Sequence, residues 1–234
     1  MNPSPYPAPF ISAHGRAFIV KILLLIGAVA TGISLLAELL SLAFPLTDEQ
    51  ELADNPMGAV VIFIVFLLGV LELIIYVATV VFFLVWLYRA YANLRAFNPS
   101  RRLDHSPGWA VGSFFVPFIN LVVPYRAVKE VWQKSGPPDE ELLSEPNPPA
   151  TFPIWWLFWL LSSIVGNISL RVSFNENIPE RTATMISIAA GVLSIIAAVF
   201  AYLVVDSIDK KQEETSGNLR LRSIPGPPPP PPDL

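Results

Sequence analysis

The sequence predicts an all-α integral membrane protein with four transmembrane helices, a Gly/Pro-broken re-entrant hairpin and a short interfacial helix. Three observations predict it. Four apolar runs are each long enough to cross a bilayer. A fifth apolar run, 109–125 (WAVGSFFVPFINLVVPY), is too short and too broken to do so, being interrupted by Gly112, Pro117, Asn120 and Pro124. Lys and Arg gather at some run ends and avoid others.

Composition narrows the class further. Of 234 residues, 53% are hydrophobic and 15% charged, whereas a soluble domain carries about 25% charge. Net charge is −4, so no basic field draws nucleic acid. The chain has no Cys, which removes disulfides, zinc–thiolate sites and cysteine nucleophiles. Its two histidines, His14 and His105, lie outside the long apolar runs, so a His-based metal site is not expected. Neither a metal nor a cofactor is implied.

Residues 1–16 read as a Pro-rich tail. The first span is about 17–44, too long for a signal-peptide core. Lys21 lies one turn inside it, close enough to the surface to snorkel. Residues 45–57 carry Asp48, Glu49, Glu51 and Asp54 and no basic residue. The second span is 58–87, with a helical pattern continuing through Leu94. After the broken segment comes an acidic, Pro-rich loop at 136–153. The third span is about 153–174, the fourth about 182–206. Residues 207–234 read as a disordered cytoplasmic tail ending in PGPPPPPPDL, a polyproline II stretch. In lipid each backbone amide must pair within its own segment, so the spans are expected to be helices. The aromatic clusters Trp86–Tyr91 and Trp155–Trp159 are expected to mark membrane interfaces.

Basic residues set the topology. Arg16 and Lys21 favour a cytoplasmic N-terminus, and Arg89, Arg95, Arg101 and Arg102 a cytoplasmic second loop. If 109–125 crossed fully, Arg126, Lys129 and Lys134 would lie outside; if it dips and returns, they stay inside. The re-entrant arrangement leaves only Arg171 and Arg181 of the 15 basic residues outside, and both termini inside. Residues 125–134 then form a short helix with Tyr125, Val128 and Trp132 on one face and Arg126, Lys129, Glu130 and Gln133 elsewhere. It either lies on the anionic inner leaflet or packs on the protein as a plain loop helix.

Glu72, near the middle of the second span, is the sharpest candidate site, because an ionisable group there is costly and faces protein or water. Helical spacing puts Gly69, Glu72, Tyr76, Thr79, Phe83 and Trp86 on one stripe. Glu38 shares a face of the first span with Gly27, Thr31, Ser34 and Ser41. One reading is a proton or cation path lined by Glu72, Tyr76, Thr79 and Glu38; the other is interhelical hydrogen bonding that serves assembly. The broken segment divides likewise between a transporter-type break exposing Pro117 and Asn120 and a purely architectural hairpin. Small and polar stripes, Ser163 with Asn167 and Ser187, Gly191, Ser194 and Ala198, suit helix packing and self-association. Asp104-His105-Ser106 is a triad in print only, since adjacent residues cannot form a nucleophile–base–orienter arrangement.

Three blocks carry a family resemblance: WLYRAYANLRAF (86–97), SPGWAVGSFFVPFINLVVPYRAVKEVW (106–132) and IWWLFWLLSSIVGN (154–167). Together they resemble the domain of unknown function 4328 family of bacterial multi-span membrane proteins. Its motif positions fall here on Arg89, Asn93, Trp109, Pro117, Asn120, Pro124 and Trp132. Ser113-Phe114 departs from the bulkier aromatic pair that relatives often carry. The resemblance implies a bacterial plasma-membrane protein and brings no activity with it. The expectation is that the seven positions form one buried unit at the cytoplasmic end.

The expected role is a non-enzymatic scaffold or regulatory component, with the bilayer, a second copy of the chain and a cytoplasmic protein held by the tails as partners. The rival is a small channel or proton- or cation-coupled transporter using Glu72 and the 109–125 segment. An enzyme acting on lipid has no constellation behind it.

Overall fold

The structure, a computed structural model, describes residues 9–43, 56–137 and 146–222. Most of the acidic 45–57 loop, much of the 136–153 loop and the polyproline tail lie outside the described residues. Among the described residues six helices follow in order: α1 (His14–Ala43), α2 (Pro56–Phe97), α3 (Pro107–Gly112), α4 (Val123–Lys134), α5 (Thr151–Ser173) and α6 (Glu180–Arg222). Two 3₁₀ turns, Ser113–Phe115 and Ile119–Leu121, join α3 to α4. No strand occurs among the described residues.

Helices α1, α2, α5 and α6 are long and apolar enough to cross a membrane. They fit an all-α membrane protein, as the hydropathy runs predict. Two of them overshoot their expected ends. α2 reaches Phe97 and stops just before Pro99, whose ring disfavours helix in the residue ahead of it. α6 continues 16 residues past Asp206 to Arg222, so 207–222 is helix where the sequence reads as loose tail. The physical reason lies in spacing. Val204, Ile208, Gln212 and Thr215 fall at i, i+4, i+8 and i+11 and are all buried, so one stripe continues across the polar stretch.

The starts of α1 and α5 pack with the ends of α2 and α6. Ala17, Val20, Trp86, Tyr91, Phe152, Trp155, Val204 and Ile208 belong to one buried core. We refer to this as the hub end. The segment 98–150 therefore begins and ends at the same end of the molecule. Towards the far end, α2 packs on α1, α1 on α6 and α6 on α5. The four helices form a row, and the side between α2 and α5 is filled at the hub end by α3 and the 3₁₀ turns.

Local chemistry explains that insert. Ser106 caps α3, its hydroxyl accepting from the Trp109 amide at 3.1 Å, with Pro107 in the first turn where a missing N–H is harmless. Pro124 plays the same part in α4. Between them Val116-Pro117 turns the chain. Phe118 takes φ 63°, the left-handed region, which is strained for a bulky residue.

Candidate functional site

Among the described residues the hub end holds most of the buried polar groups, and Glu130 is the centre of the first cluster. It sits on α4 among Ala127, Val128 and Val131, all fully buried. Its Oε1 accepts from the Asp104 amide at 2.7 Å and from Lys134 Nζ at 2.8 Å. Its Oε2 accepts from the Tyr91 hydroxyl and pairs with His105 Nδ1 at 3.1 Å. Burial alone would raise the Glu130 carboxyl; the bonds from Lys134, Tyr91, Asp104 and His105 together outweigh it and hold the group below the usual carboxylate range. Lys134 Nζ also donates to the Arg102 carbonyl at 2.8 Å, and Arg101 donates to the Lys134 carbonyl.

A second cluster joins the first described residues to both long helices. Asn93, fully buried on α2, donates to the Ile11 carbonyl at 3.0 Å and to Gln212 Oε1 at 3.2 Å. Gln212 donates to the Ala90 carbonyl at 2.8 Å and to Ser135 Oγ at 3.0 Å, and Thr215 to the Ser135 carbonyl at 2.8 Å. Lys21, expected to snorkel, is instead paired with Asp206 at 2.9 Å and lies 3.7 Å from Asp209, which also holds His14 Nδ1 at 2.8 Å. A positive charge one turn inside an apolar run meets a carboxylate on the neighbouring helix before it needs water.

Aromatic rings fill the space between. Phe83 touches Trp86, Phe114 and Trp155, and Phe114 meets Trp159 edge-on. Trp156 stacks on Trp159 at 4.6 Å. Trp86, Trp155 and Trp156 are buried, so these clusters pack the core rather than standing as an exposed interface belt.

The seven motif positions do not form one buried unit. Asn93 and Pro124 are buried. Arg89 donates to the Ile11 carbonyl at 3.2 Å, and Trp132 donates to Ser207 at 2.9 Å beneath the Lys211 ammonium, 4.0 Å above its ring. Trp109 and Pro117 are exposed, and Asn120 is half-buried beside α5. α4 packs on the protein through Ala127, Val128 and Val131, and Glu130, expected off the face of Tyr125, Val128 and Trp132, is buried with them.

The candidate path residues also separate. Glu72 accepts a hydrogen bond from Ser34 of α1 at 2.6 Å, and Glu38 from Ser187 of α6 at 2.7 Å. Thr79 donates to its own helix at Ile75, and Tyr76 is 64% exposed. The stripe drawn from spacing is therefore not one lined surface. Glu38 Oε2 is buried without a partner among the described residues. No three His, Asp or Glu side chains among the described residues are placed to hold a metal ion.

Sequence reasoning missed Tyr91, Glu130, Ser135, Gln212 and Thr215. The signal for Gln212 and Thr215 was the continuing stripe from Val204. For Glu130 it was Lys134 one turn on, a pairing that reads equally well as a solvated helix surface.

Among the described residues, four helices long and apolar enough to cross a membrane, with a packed aromatic core and internal polar ties, fit an all-α membrane protein. Residues 58–210 match the model of the domain of unknown function family DUF4328, and the chain belongs to that family. No curated protein and no solved structure matches it.

Proposed function

We propose that the protein is a non-enzymatic membrane scaffold or regulatory component of the bacterial plasma membrane. In this reading the hub end and both tails are cytoplasmic, and the hub is the working surface. The observation that carries it is the Glu130 carboxylate. Its two oxygens offer about four acceptor sites, and Tyr91, Asp104, His105 and Lys134 occupy them. A carboxylate so held fastens α2, the 101–105 loop and α4 together. It has no lone pair left for a substrate proton or a metal.

Sidedness rests on charge. Every basic residue except Arg171 and Arg181 belongs to the hub-end segments, and Lys and Arg near span ends favour the cytoplasm. The re-entrant reading rests on depth and exposure. Phe115, Phe118, Leu121 and Val122 are exposed at the turn. The Leu121 carbonyl accepts from Trp156 Nε1 at 3.0 Å, five residues along α5 and so about 7.5 Å past its start at Thr151. Those rings then rest in hydrocarbon, while the exposed Arg126 of α4 faces anionic headgroups.

The rival reading, a small channel or proton- or cation-coupled transporter, is favoured by the unpartnered Glu38 Oε2. Against it, Glu72 and Glu38 each take a hydroxyl from a neighbouring helix, the pattern of assembly.

Single cysteines test sidedness cleanly, because the chain has none of its own. In intact cells an impermeant maleimide is expected to label Asn177→Cys and not Arg102→Cys; the reverse overturns the orientation. Proteoliposomes with an internal pH dye separate the roles. No flux is expected, whereas flux abolished by Glu72→Gln would establish the transporter. Cross-linking in cells with and without 223–234 tests the tail, and an unchanged partner set counts against it.

A further inference from the structure

One groove runs from the edge of the hub towards the far end, and the buried polar clusters do not explain it. It has a volume of about 370 Å³ and runs along α5 from Asn120 and Leu121 of the second 3₁₀ turn to Arg171 in the last helical turn. We propose that it binds one anionic phospholipid of the far-end leaflet, with the phosphate on Arg171 and one acyl chain along α5.

Its length fits that occupant. Arg171 and Trp159 are twelve residues apart, about 18 Å along a helix, and one leaflet of hydrocarbon is about 15 Å deep. The 3₁₀ turn forms the floor, where the acyl chain of a single leaflet ends. The polarity sequence fits as well. Arg171 is exposed and has no hydrogen bond or ion pair among the described residues, so its guanidinium is available to a phosphate. Asn167, one turn deeper and about 6 Å down, is level with the ester groups. Below it the wall becomes Ile164, Leu160 and Trp159. Its polar groups are already paired within the helix: Asn167 Nδ2 donates to the Ser163 carbonyl at 2.7 Å, and Ser163 Oγ to the Trp159 carbonyl at 2.8 Å. An acyl chain laid there leaves those donors satisfied. The row of helices, open between α2 and α5 beyond the hub, gives the lipid its way in from the side. The proposal is independent of the scaffold role and of which end faces the cytoplasm.

Titration of phosphatidylglycerol into the detergent-purified full chain, followed by native mass spectrometry, tests it. The wild-type protein is expected to retain one phosphatidylglycerol, and to hold it more tightly than phosphatidylcholine. Arg171→Gln is expected to bind phosphatidylglycerol about fivefold more weakly. Ile164→Trp fills the groove and is expected to lose both lipids, whereas Leu36→Trp on the lipid-facing side of α1 retains them. Unchanged binding in Arg171→Gln overturns the proposal. So does a wild-type chain that carries no lipid, or one whose groove is covered by a second copy, seen as a dimer that Ile164→Trp dissociates.

Discussion

At the hub end, Trp86, Tyr91 and Asn93 of α2 and Val204 of α6 lose all contact with the surroundings. About four to eight turns earlier on the same α2 helix, Phe63, Val65 and Leu73 remain about 60% exposed, as does Val29 of α1. The hub is built like the interior of a soluble protein, with close-packed rings and polar groups paired inside. The far end leaves its apolar surface to lipid, and single hydroxyl–carboxyl bonds tie its helices. Side chains at the hub therefore have one protein arrangement to satisfy, whereas those beyond it trade protein neighbours for lipid of similar polarity. Substitutions at the two ends should differ in cost accordingly.

The sharpest break is Glu130→Ala. It leaves Lys134 charged and buried, and is expected to cost about 3–5 kcal/mol, read as loss of thermal stability in detergent. If it costs no more than a far-end change, the contrast between the ends fails. Acid probes the same contact without mutation. The Glu130 carboxyl is held below its unfolded value, so its contribution is complete above the unfolded value near pH 4.3. That contribution is lost as pH falls through the folded value. A thermal melt taken across this window should drop in wild type, and by less in Glu130→Gln.

Gln212→Ala comes next. It strips partners from Asn93, Ser135 and the Ala90 carbonyl, at about 1–3 kcal/mol; a denaturation midpoint equal to wild type would return 207–222 to the status of a loose tail. Gly191→Ala should cost less than about 1 kcal/mol, because a Cβ there would come 2.7 Å from Leu35 Cδ2 and push that flexible side chain aside, while the loss of a mid-helix glycine offsets part of the strain. Smallest is Glu72→Gln. The amide oxygen still accepts from Ser34, and a bond of this kind within a bilayer averages about 0.6 kcal/mol, so its melting curve should nearly overlay the wild type. A large effect would show that the ionised carboxylate, rather than the hydrogen bond, is what the far end needs.

Much of this division was legible in the sequence. Four spans, the placing of Lys and Arg around them and the odd character of 109–125 follow from hydropathy and charge, because lipid imposes a length and a sign on every segment. The spans' crossing partners do not follow. Spacing put Glu72 and Tyr76 on a shared stripe, yet the neighbour that matters is Ser34, chosen by how α1 lies against α2. Glu130 was illegible for a related reason. An amphipathic twelve-residue helix advertises one apolar side, and nothing in its own pattern announces that loop 101–105 and Tyr91 will cover the charged side too. The expectation of one unit for the seven motif positions rests on their all falling at the cytoplasmic half, which does not fix which of them turn inward. Trp109 lies on the outer side of α3, whose Ala110 is buried, and Pro117 is exposed in the turn that follows.

Oiliness along residues 180–222 stops at Asp206, but the helix does not. A polypeptide ended there, as a hydropathy plot invites, would look complete by every count of its crossings. It would nevertheless have lost the keystone of its own interior: Ile208, Gln212 and Thr215 would be gone, and Asn93 and Ser135 would be left facing an empty slot. The last sixteen residues of that rod are less an appendage than the plug that closes the protein.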